Sequence, residues 1–578
     1  MKHLLSATLS RQYLILSVLC VLHLAILLPL PGKFSYVYNE NGRIASGLIH
    51  LRSGDYSHFQ VNPPLPDKVG ALPAFLGGSY SPTPGDLGIS HHFTRTEYKA
   101  GNIWIQKNPD HFQWMKYGRY CMFVFVLLGT VAIFLLTLRL YGDNAAILAS
   151  LLWIFSPYIL GFGCLVCPDV PSAALAVFAV FAFLKWLHRP TMYDALLAGL
   201  ALGFAELTKF TLLVFYPLFV LLWLVYRMPE WKTMGLNGWF NQTKQMFFMF
   251  VVSLLVINMG YLFEGTGKQL REFRFQTSLF SGVETVPSGG GNRFKDSLLG
   301  YVPVPLPANY VQGIDTQRLD FERGVPSYLR GEWSDRGWWH YYLYALLIKT
   351  PPGTLGLLLL AIYCTFFVRR CNASWRDEMV IFLTGITLLV FVSSQTGFSV
   401  HSRYAIPALP FFFIWISKVG RAMSWKRPVF STLVVTLLLW SVSSSLWVYP
   451  HSISYFNELV GGPRGGPRHL LDSNIDWGQD LFYLERWCRA NPNVTEIKVA
   501  VWGSYPLEAT AIPSMGMPPV NEPQPGYYAL SVNYLYDRSG QYRYFLNIEP
   551  VARAGYSIYI YHLTPEDVEG YNDRHVRK

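Results

Sequence analysis

The sequence predicts an α-helical polytopic membrane protein with a small extracytoplasmic α/β domain at its C-terminal end. Of its 578 residues, 51% are apolar, 16% are aromatic and only 14% are charged, a composition too apolar for a soluble protein of this length. Apolar segments long enough to cross a bilayer recur along the chain. Short basic clusters separate these segments, so the net charge of +11 reflects membrane topology rather than a nucleic-acid surface.

The first apolar segment runs from Tyr13 to Leu30, after Lys2, His3 and Arg11. Its position is also that of a cleaved signal peptide, but it ends in Leu-Pro-Leu-Pro-Gly rather than in small residues. We therefore expect a retained anchor with its N-terminus in the cytoplasm.

Ten further apolar segments bring the predicted number of spans to about eleven. Two pairs of neighbouring segments are separated only by Asp169 or by Lys209 and its neighbours. Each pair together has more than thirty apolar residues, which is too many for one span, so we count each pair as two helices. The segments after the first are 117–138, 144–165, 170–187, 193–208, 210–226, 246–263, 353–368, 378–396, 404–417 and 428–448.

The distribution of Lys and Arg predicts the orientation of these spans. Loops assigned to the cytoplasm repeatedly carry basic residues, for example Arg369 and Arg370, or Lys418 and Arg421. With an odd number of spans, the chain after Pro450 is extracytoplasmic. The sequence thus predicts a membrane domain, 1–449, and an α/β domain, 450–578. The loops 31–116 and 264–350 of the membrane domain are expected on the same extracytoplasmic side as the α/β domain. The second loop is rich in Gly and Pro and is expected to be irregular.

The tail has a different pattern from the membrane domain. A helical pattern at Leu481–Ala490 precedes strand-like runs at Ile497–Trp502, Tyr527–Tyr534 and Tyr556–His562. The seven cysteines form no disulfide framework. Cys164 and Cys167 have the spacing of a redox pair, but without a second ligand cluster we interpret them as small apolar residues near the end of a span.

Five ionisable residues far apart in sequence fall at predicted extracytoplasmic ends: Glu40, Asp169, Lys209, His401 and Arg403. Such groups at membrane depth are costly and usually mark a site. Individually, Asp169 also suits a helix cap, and Lys209 and Arg403 also suit snorkelling to headgroups. Their common side predicts one shared site, with Glu40, in a polar loop punctuated by prolines, as the best catalytic candidate. The alternative for that loop is an ordinary long connection.

The set combines carboxylates, which can deprotonate a hydroxyl, with cations, which can hold a phosphate. Transfer of a group from a lipid phosphate to a hydroxyl acceptor at the membrane surface fits both. A transporter with the same polar residues remains the competing interpretation. A transporter is expected to have repeated halves and helices that are broken near the middle of the membrane, and the sequence shows neither.

The motifs resemble those of glycosyltransferase family 39, protein-mannosyltransferase-like enzymes of the GT-C superfamily. The similarity covers most of the chain, including a tail typical of bacterial members, and its most specific part is the run Asp472–Asp480. The other motifs are Glu40, Gly54-Asp55, Asn62-Pro63-Pro64-Leu65, Lys68, Pro168-Asp169-Val170-Pro171, Leu207-Thr208-Lys209-Phe210 and Val400-His401-Ser402-Arg403-Tyr404.

The resemblance implies a bacterial inner-membrane enzyme that transfers a sugar, with inversion, from a polyprenyl phosphate to a hydroxyl acceptor. The family typically has an Asp-Glu pair in the first loop, where this chain has Asn39-Glu40. Either Glu40 has become the base, or the activity is lost or altered. Asp169 would be the second acidic group. Lys209 and Arg403, with His401, would stabilise the phosphate leaving group.

The remaining candidates are assigned to the sugar or acceptor side: Asn39, Arg43, Asn62, Asp476 and Trp477. Residues of the run Asp472–Asp480 equally suit helix capping and packing before Leu481. The sequence shows no cluster of metal ligands and predicts no cofactor, while a divalent ion near Glu40 and Asp169 stays open. The expected partners are the lipid bilayer, the lipid-linked sugar and an unnamed hydroxyl acceptor, with no nucleic acid.

Overall fold

The computed structural model describes residues 2–88, 96–283 and 290–575. Within these ranges, seven helices are long and apolar enough to cross a membrane, and a bent helix pair raises the number to eight. The chain is therefore a mostly helical, multi-pass membrane protein, as the sequence predicts. Eleven spans and their orientation stay a prediction. The seven helices are Ser10–Leu27, His111–Tyr141, Asp169–His188, Phe210–Glu230, Gly235–Gly260, Ser402–Ala422 and Pro428–Val448.

Each of the eleven apolar segments contains helix. In the first half of the chain the helices are α1 (Lys2–Leu27), α2 (Glu40–Ser53), α3 (Leu65–Leu76), α4 (Pro84–Leu87), α5 (Glu97–Lys107), α6 (His111–Cys121), α7 (Phe123–Tyr141), α8 (Asp143–Ile154), α9 (Pro157–Phe162), α10 (Asp169–His188), α11 (Met192–Glu206), α12 (Phe215–Arg227) and α13 (Gly235–Gly260). In the second half they are α14 (Ser278–Ser281), α15 (Ala308–Arg323), α16 (Tyr341–Lys349), α17 (Pro352–Phe367), α18 (Trp375–Ser393), α19 (Leu409–Ile416), α20 (Pro428–Val448), α21 (Gly462–Gly465), α22 (Leu481–Ala490), α23 (Val532–Leu535) and α24 (Pro565–His575).

Prolines break several apolar segments into shorter helices. The segment 144–165 is divided at Pro157, which begins α9. The segment 404–417 starts as a 3₁₀-helix, Ser402–Ala408, that contains Pro407. Helices α16 and α17 meet at 112° across Pro351. Proline lacks the N–H group that continues an α-helix, so each break frees backbone groups near the end of a span.

Close contact between helices holds the membrane core together. Gly199 and Gly203 of α11 lie against α13, and a Cβ atom added at Gly203 would be 2.5 Å from Cβ of Val256. The absent side chains let the two helix backbones approach, as small residues commonly do between membrane helices. This packing fixes the end of α11, from which Lys209 follows.

The second long loop, 264–350, is more regular than the sequence suggests. It contains the 16-residue helix α15 and an antiparallel hairpin of β1 (Ser327–Leu329) and β2 (Glu332–Ser334). The carboxylate of Asp315 on α15 accepts hydrogen bonds from the backbone N–H groups of Gln276 and Thr277. The expectation of an irregular loop was therefore wrong for this part, because tertiary contacts offset its many Gly and Pro residues.

The tail forms a small mixed sheet with one packed helix. Strands β3 (Lys498–Ala500), β4 (Gly526–Ser531), β5 (Ala552–Ala554) and β6 (Ile558–Leu563) are arranged in the order β3-β4-β6-β5. The predicted helix 481–490 and the three strand-like runs are confirmed within one to three residues at their ends. Strand β5 was not predicted, since a three-residue strand carries little periodic signal.

One lysine connects the membrane helices to this tail. The buried ammonium group of Lys349, at the end of α16, donates to the carbonyl oxygens of Ile453, Tyr455 and Asn474 at 3.1, 2.7 and 2.6 Å. Three acceptors satisfy the three donors of an ammonium group. The segment 450–480 is thereby held against the ends of the spans.

Candidate active site

A cavity of about 760 Å³ lies where the first loop, the ends of several spans, α15 and the tail meet. Its size is that of a typical ligand site. The structure brings together around it eight of the predicted site residues: Asn39, Arg43, Asn62, Asp169, Lys209, His401, Arg403 and Trp477. Glu40 and Asp476 are not part of its lining.

The cavity wall contains an ion cluster of one carboxylate and two cations. The Lys209 Nζ atom is 2.6 Å from Oδ1 of Asp169, and the Arg403 Nε atom is 3.8 Å from Oδ2. Nε of Arg403 is buried and has no hydrogen-bond partner among the described residues. The cluster thus carries a positive charge in excess and an unused donor, which together suit an anionic ligand.

Breaks in the helices place these three side chains. Asp169 is the first residue of α10, and Lys209 is an extended residue between α11 and the 3₁₀-helix Phe210–Val214. Arg403 lies on the 3₁₀-helix Ser402–Ala408. All three are buried, so each charge depends on the others for compensation.

Aromatic rings support both cations. The Arg403 guanidinium lies 4.2 Å from the ring centroid of Trp477, and the Lys209 ammonium lies 4.3 Å from that of Tyr404. Cations at this distance are attracted by the face of the ring. Trp477, expected on the sugar side, therefore also contributes to the position of Arg403.

Glu40 is sealed away from the cavity. It is fully buried, and its oxygens accept hydrogen bonds from Nε and Nη2 of Arg119 at 2.9 and 2.5 Å. Arg119 also donates to the carbonyl oxygens of Pro31, Phe34 and Ser35. This geometry does not suit the expected base role, because the carboxylate has no access to a ligand in the cavity.

The preceding residue, Asn39, does line the cavity. Its backbone is left-handed, with φ of 75°, and its buried Oδ1 atom accepts no hydrogen bond from the residues that the structure describes. Asparagine tolerates this conformation better than most residues. The amide of Asn39 cannot act as a base. Asn39, next to the expected base Glu40, can therefore offer a ligand only hydrogen bonds.

Arg43 contributes a further cation to the same wall. Its Nη1 atom is 3.1 Å from Oδ1 of Asp67, and its guanidinium lies 5.2 Å from the ring of Phe59. Burial raises the pKa of Asp67 to about 6, against the lowering effect of Arg43. Asn62, in the connection before α3, completes this polar wall.

His401 is directed toward the tail by its contacts. Its Nδ1 atom lies 3.0 Å from Oδ1 of Asp472 and 2.9 Å from Oγ of Ser473. The sequence placed His401 on the phosphate side, but no pattern in the sequence indicated its pairing with Asp472, 71 residues further along the chain. Asp472 lines the main cavity and a second cavity of about 230 Å³.

Asp476 is a structural residue of the tail. It is buried, accepts a hydrogen bond from the hydroxyl of Ser531 on β4 and another from the N–H of Gly478 at 2.9 Å. Its assignment to the acceptor side is corrected here, because its carboxylate contacts the tail and not the cavity.

The described residues contain no group of three or more His, Cys, Asp or Glu side chains arranged to hold a metal ion. The apolar part of the cavity wall comes from the region after Lys209 and from α15 and α18. Its members include Leu213, Val214, Pro217, Ile314, Phe391 and Val392. The cavity is therefore lined by an ion cluster and by an apolar wall.

Comparison with protein families confirms the predicted resemblance over part of the chain. Residues 115–257 match the family of dolichyl-phosphate-mannose-protein mannosyltransferases. The matched segment contains Arg119, Asp169 and Lys209. A comparison with curated protein sequences gives no significant match.

The solved structures that resemble this chain have low sequence identity to it. ArnT from Cupriavidus metallidurans bound to undecaprenyl phosphate is 13% identical, with a TM-score of 0.46 over 95% of this chain and 97% of that one. The Archaeoglobus fulgidus oligosaccharyltransferase AglB, in complex with an inhibitory peptide and a dolichol-phosphate, is 12% identical, with a TM-score of 0.44 over 96% and 74%. At these scores the likeness carries no weight for the activity of this chain.

Proposed function

We propose that this chain is a glycosyltransferase that moves a sugar, with inversion, from a polyprenyl phosphate to a hydroxyl acceptor on the extracytoplasmic face. The observation that carries the proposal is the buried Arg403 Nε atom, which has no hydrogen-bond partner in the described part of the chain and lies near Lys209 in a cavity with an apolar wall. A lipid phosphate presents an anion and an apolar chain together. The partial family match is consistent with such a donor.

In this proposal Lys209 and Arg403 bind the donor phosphate. Negative charge grows on the phosphate oxygens as the bond to the sugar breaks, so both cations stabilise the transition state more than the ground state. Asp169 holds the two cations in place and limits their mutual repulsion. Asn39, Arg43 and Asn62 are proposed to contact the sugar from the first loop.

Glu40 receives a different role from the one expected. Because Arg119 occupies its carboxylate, Glu40 is proposed to fix the loop that carries Asn39. A related function without transfer is favoured by one observation, the amide of Asn39 at the position of the family's usual acid. A protein that binds the lipid phosphate but does not transfer the sugar would then be the second candidate.

The test separates binding from transfer. Purified protein in lipid nanodiscs is titrated with undecaprenyl phosphate and, separately, incubated with a panel of polyprenyl-phosphate sugars, followed by mass spectrometry of the lipids and candidate acceptors. Lys209→Gln is expected to weaken undecaprenyl phosphate binding about tenfold or more, the usual scale for a lost bond to a charged group.

A matched control lies at the other end of the same helices. Lys185 on α10 pairs with Asp194 on α11 at 3.1 Å, but its side chain is 46% exposed. Lys185→Gln is expected to leave binding unchanged. Wild-type protein that binds no undecaprenyl phosphate would contradict both candidates, whereas binding without consumption of any donor would favour the second.

A further inference from the structure

The cavity raises the question of where the acceptor proton goes. Asn39 has no basic group, and the carboxylate of Glu40 is held by Arg119. Asp169 is bonded to Lys209 at 2.6 Å, and a carboxylate that neutralises buried cations is a weak base. The proton acceptor must then lie elsewhere on the cavity wall.

His401 and Asp472 form a pair with suitable geometry. Oδ1 of Asp472 and Oγ of Ser473 both lie within 3.0 Å of Nδ1 of His401. A carboxylate facing Nδ1 favours the tautomer that carries its proton there, because Nδ1–H can donate to it. The lone pair is then on Nε2, the nitrogen that faces away from Asp472 on the ring.

The surroundings keep His401 neutral near pH 7. Burial and the charge of Arg403, on the 3₁₀-helix that follows His401, hold the pKa of His401 below its ordinary value of 6.5, while Asp472 from the tail and Asp169 from α10 act in the opposite direction. The rings of Phe398 and Tyr404 pack at 5.5 and 5.3 Å from its own. A neutral imidazole is the form that accepts a proton.

His401 lines the main cavity, and Asp472 lies where that cavity meets the smaller one. Asp472 lines both the main cavity and the smaller one, whose wall includes the aromatic residues Tyr328, Trp333 and Trp502 and part of the tail. The apolar wall for a lipid chain belongs to the main cavity. An acceptor that enters through the smaller cavity would pass Asp472 and reach His401 on the wall of the main cavity.

We propose that His401, oriented by Asp472, accepts the proton of the attacking hydroxyl. The proposal rests on the glycosyltransferase function proposed above. The acceptor oxygen forms a bond to the anomeric carbon as the bond from that carbon to the phosphate oxygen breaks. The electron pair of the broken bond leaves with the polyprenyl phosphate, and the hydroxyl proton moves to Nε2 of His401.

The test uses water as the simplest acceptor. Full-length protein in nanodiscs is incubated with the polyprenyl-phosphate sugar that the panel identifies, and release of free sugar is followed from pH 5 to pH 9. His401→Gln is expected to lower the rate about 10²-fold or more, the usual contribution of a general base. It is also expected to abolish the fall in rate at acidic pH, while undecaprenyl phosphate binding is unchanged and shows that the variant is folded.

Two further variants sharpen the outcome. Asp472→Asn keeps a residue that tolerates the left-handed backbone at this position, φ of 59°, but its amide no longer favours the Nδ1–H tautomer. It is expected to slow release, and adding it to His401→Gln is expected to have no further effect. His469, which bonds the hydroxyl of Tyr344 at 2.6 Å, provides the control: His469→Gln is expected to match the wild type.

The proposal is overturned if His401→Gln keeps the wild-type rate and its acidic fall. It is also overturned if Asp320→Asn, on the α15 side of the cavity, removes the acidic fall while His401→Gln retains it. A wild type that neither binds undecaprenyl phosphate nor releases sugar would instead contradict the proposed function, and this inference with it.

Discussion

Arg119 holds both carboxylate oxygens of Glu40 in a fully buried ion pair, with Nε 2.9 Å from Oε1 and Nη2 2.5 Å from Oε2. The backbone N–H of Val166 adds a bond to Oε1 at 3.1 Å. The pair joins the first loop to α6 and to the segment before α10. Glu40 therefore connects three segments of the chain without lining the cavity.

The first prediction concerns this ion pair. Glu40→Gln leaves the Arg119 guanidinium buried without a counter-charge, so it is expected to lower the free energy of unfolding by about 3–5 kcal/mol. The double variant Glu40→Gln/Arg119→Met removes both charges and is expected to be more stable than Glu40→Gln alone. Thermal unfolding in detergent, followed by tryptophan fluorescence, measures both. A Glu40→Gln protein of wild-type stability that has lost all turnover would restore Glu40 as the base.

The second prediction concerns Asn39. Asn39→Asp places a carboxylate at the cavity wall, and aspartate tolerates the left-handed backbone there. If His401 is the base, Asn39→Asp is expected to recover part of the rate that His401→Gln loses, because a second group can then accept the proton. Sugar release is measured for the single and double variants. Asn39→Gln, which adds no base, is the control and is expected to give no recovery in the His401→Gln background.

The third prediction is a pH dependence of stability at Asp476. Burial raises its pKa to about 7, despite the hydrogen bonds from Ser531 and Gly478 that lower it. The folded state therefore binds the proton more tightly than the unfolded state. The resulting contribution of Asp476 to the free energy of unfolding is complete below pH 3.8 and is lost as the pH rises to about 7. Between these two pH values the free energy of unfolding is expected to fall by at most about 4 kcal/mol.

Asp476→Asn removes this titration while keeping a side chain that can bond both Ser531 and Gly478. Its melting temperature is expected to vary less between pH 4 and pH 7.5 than that of the wild type. Glu485, a partly buried residue of α22 that pairs with the exposed Arg489 at 2.7 Å, gives a control carboxylate in Glu485→Gln. Parallel melting curves for wild type and Asp476→Asn would contradict the prediction.

The fourth prediction is the topology. A periplasmic reporter fused after Lys578 is expected to be active, and one inserted within 418–427 is expected to be inactive, because the Lys and Arg residues there stay in the cytoplasm. A cytoplasmic reporter should show the opposite pattern. Activity of the cytoplasmic reporter at the C-terminus would place the cavity on the cytoplasmic side and remove the basis for an extracytoplasmic transfer.

The sequence by itself determined the class of protein, the apolar segments and most elements of the tail. Span length and hydrophobic periodicity are local properties, so the helix 481–490 could be predicted to the residue. The same local patterns also indicated the residues around the cavity, such as Asp169 and Lys209, because charged side chains at the ends of spans are rare and costly.

Only the tertiary structure decided which of those residues act together. Glu40 looked like a free acid because its partner, Arg119, lies 79 residues away, and nothing local links the two. The pairing of His401 with Asp472 is hidden for the same reason. A charge's environment depends on which distant segments fold against it, and burial and ion pairing are set by that packing rather than by neighbours in the chain.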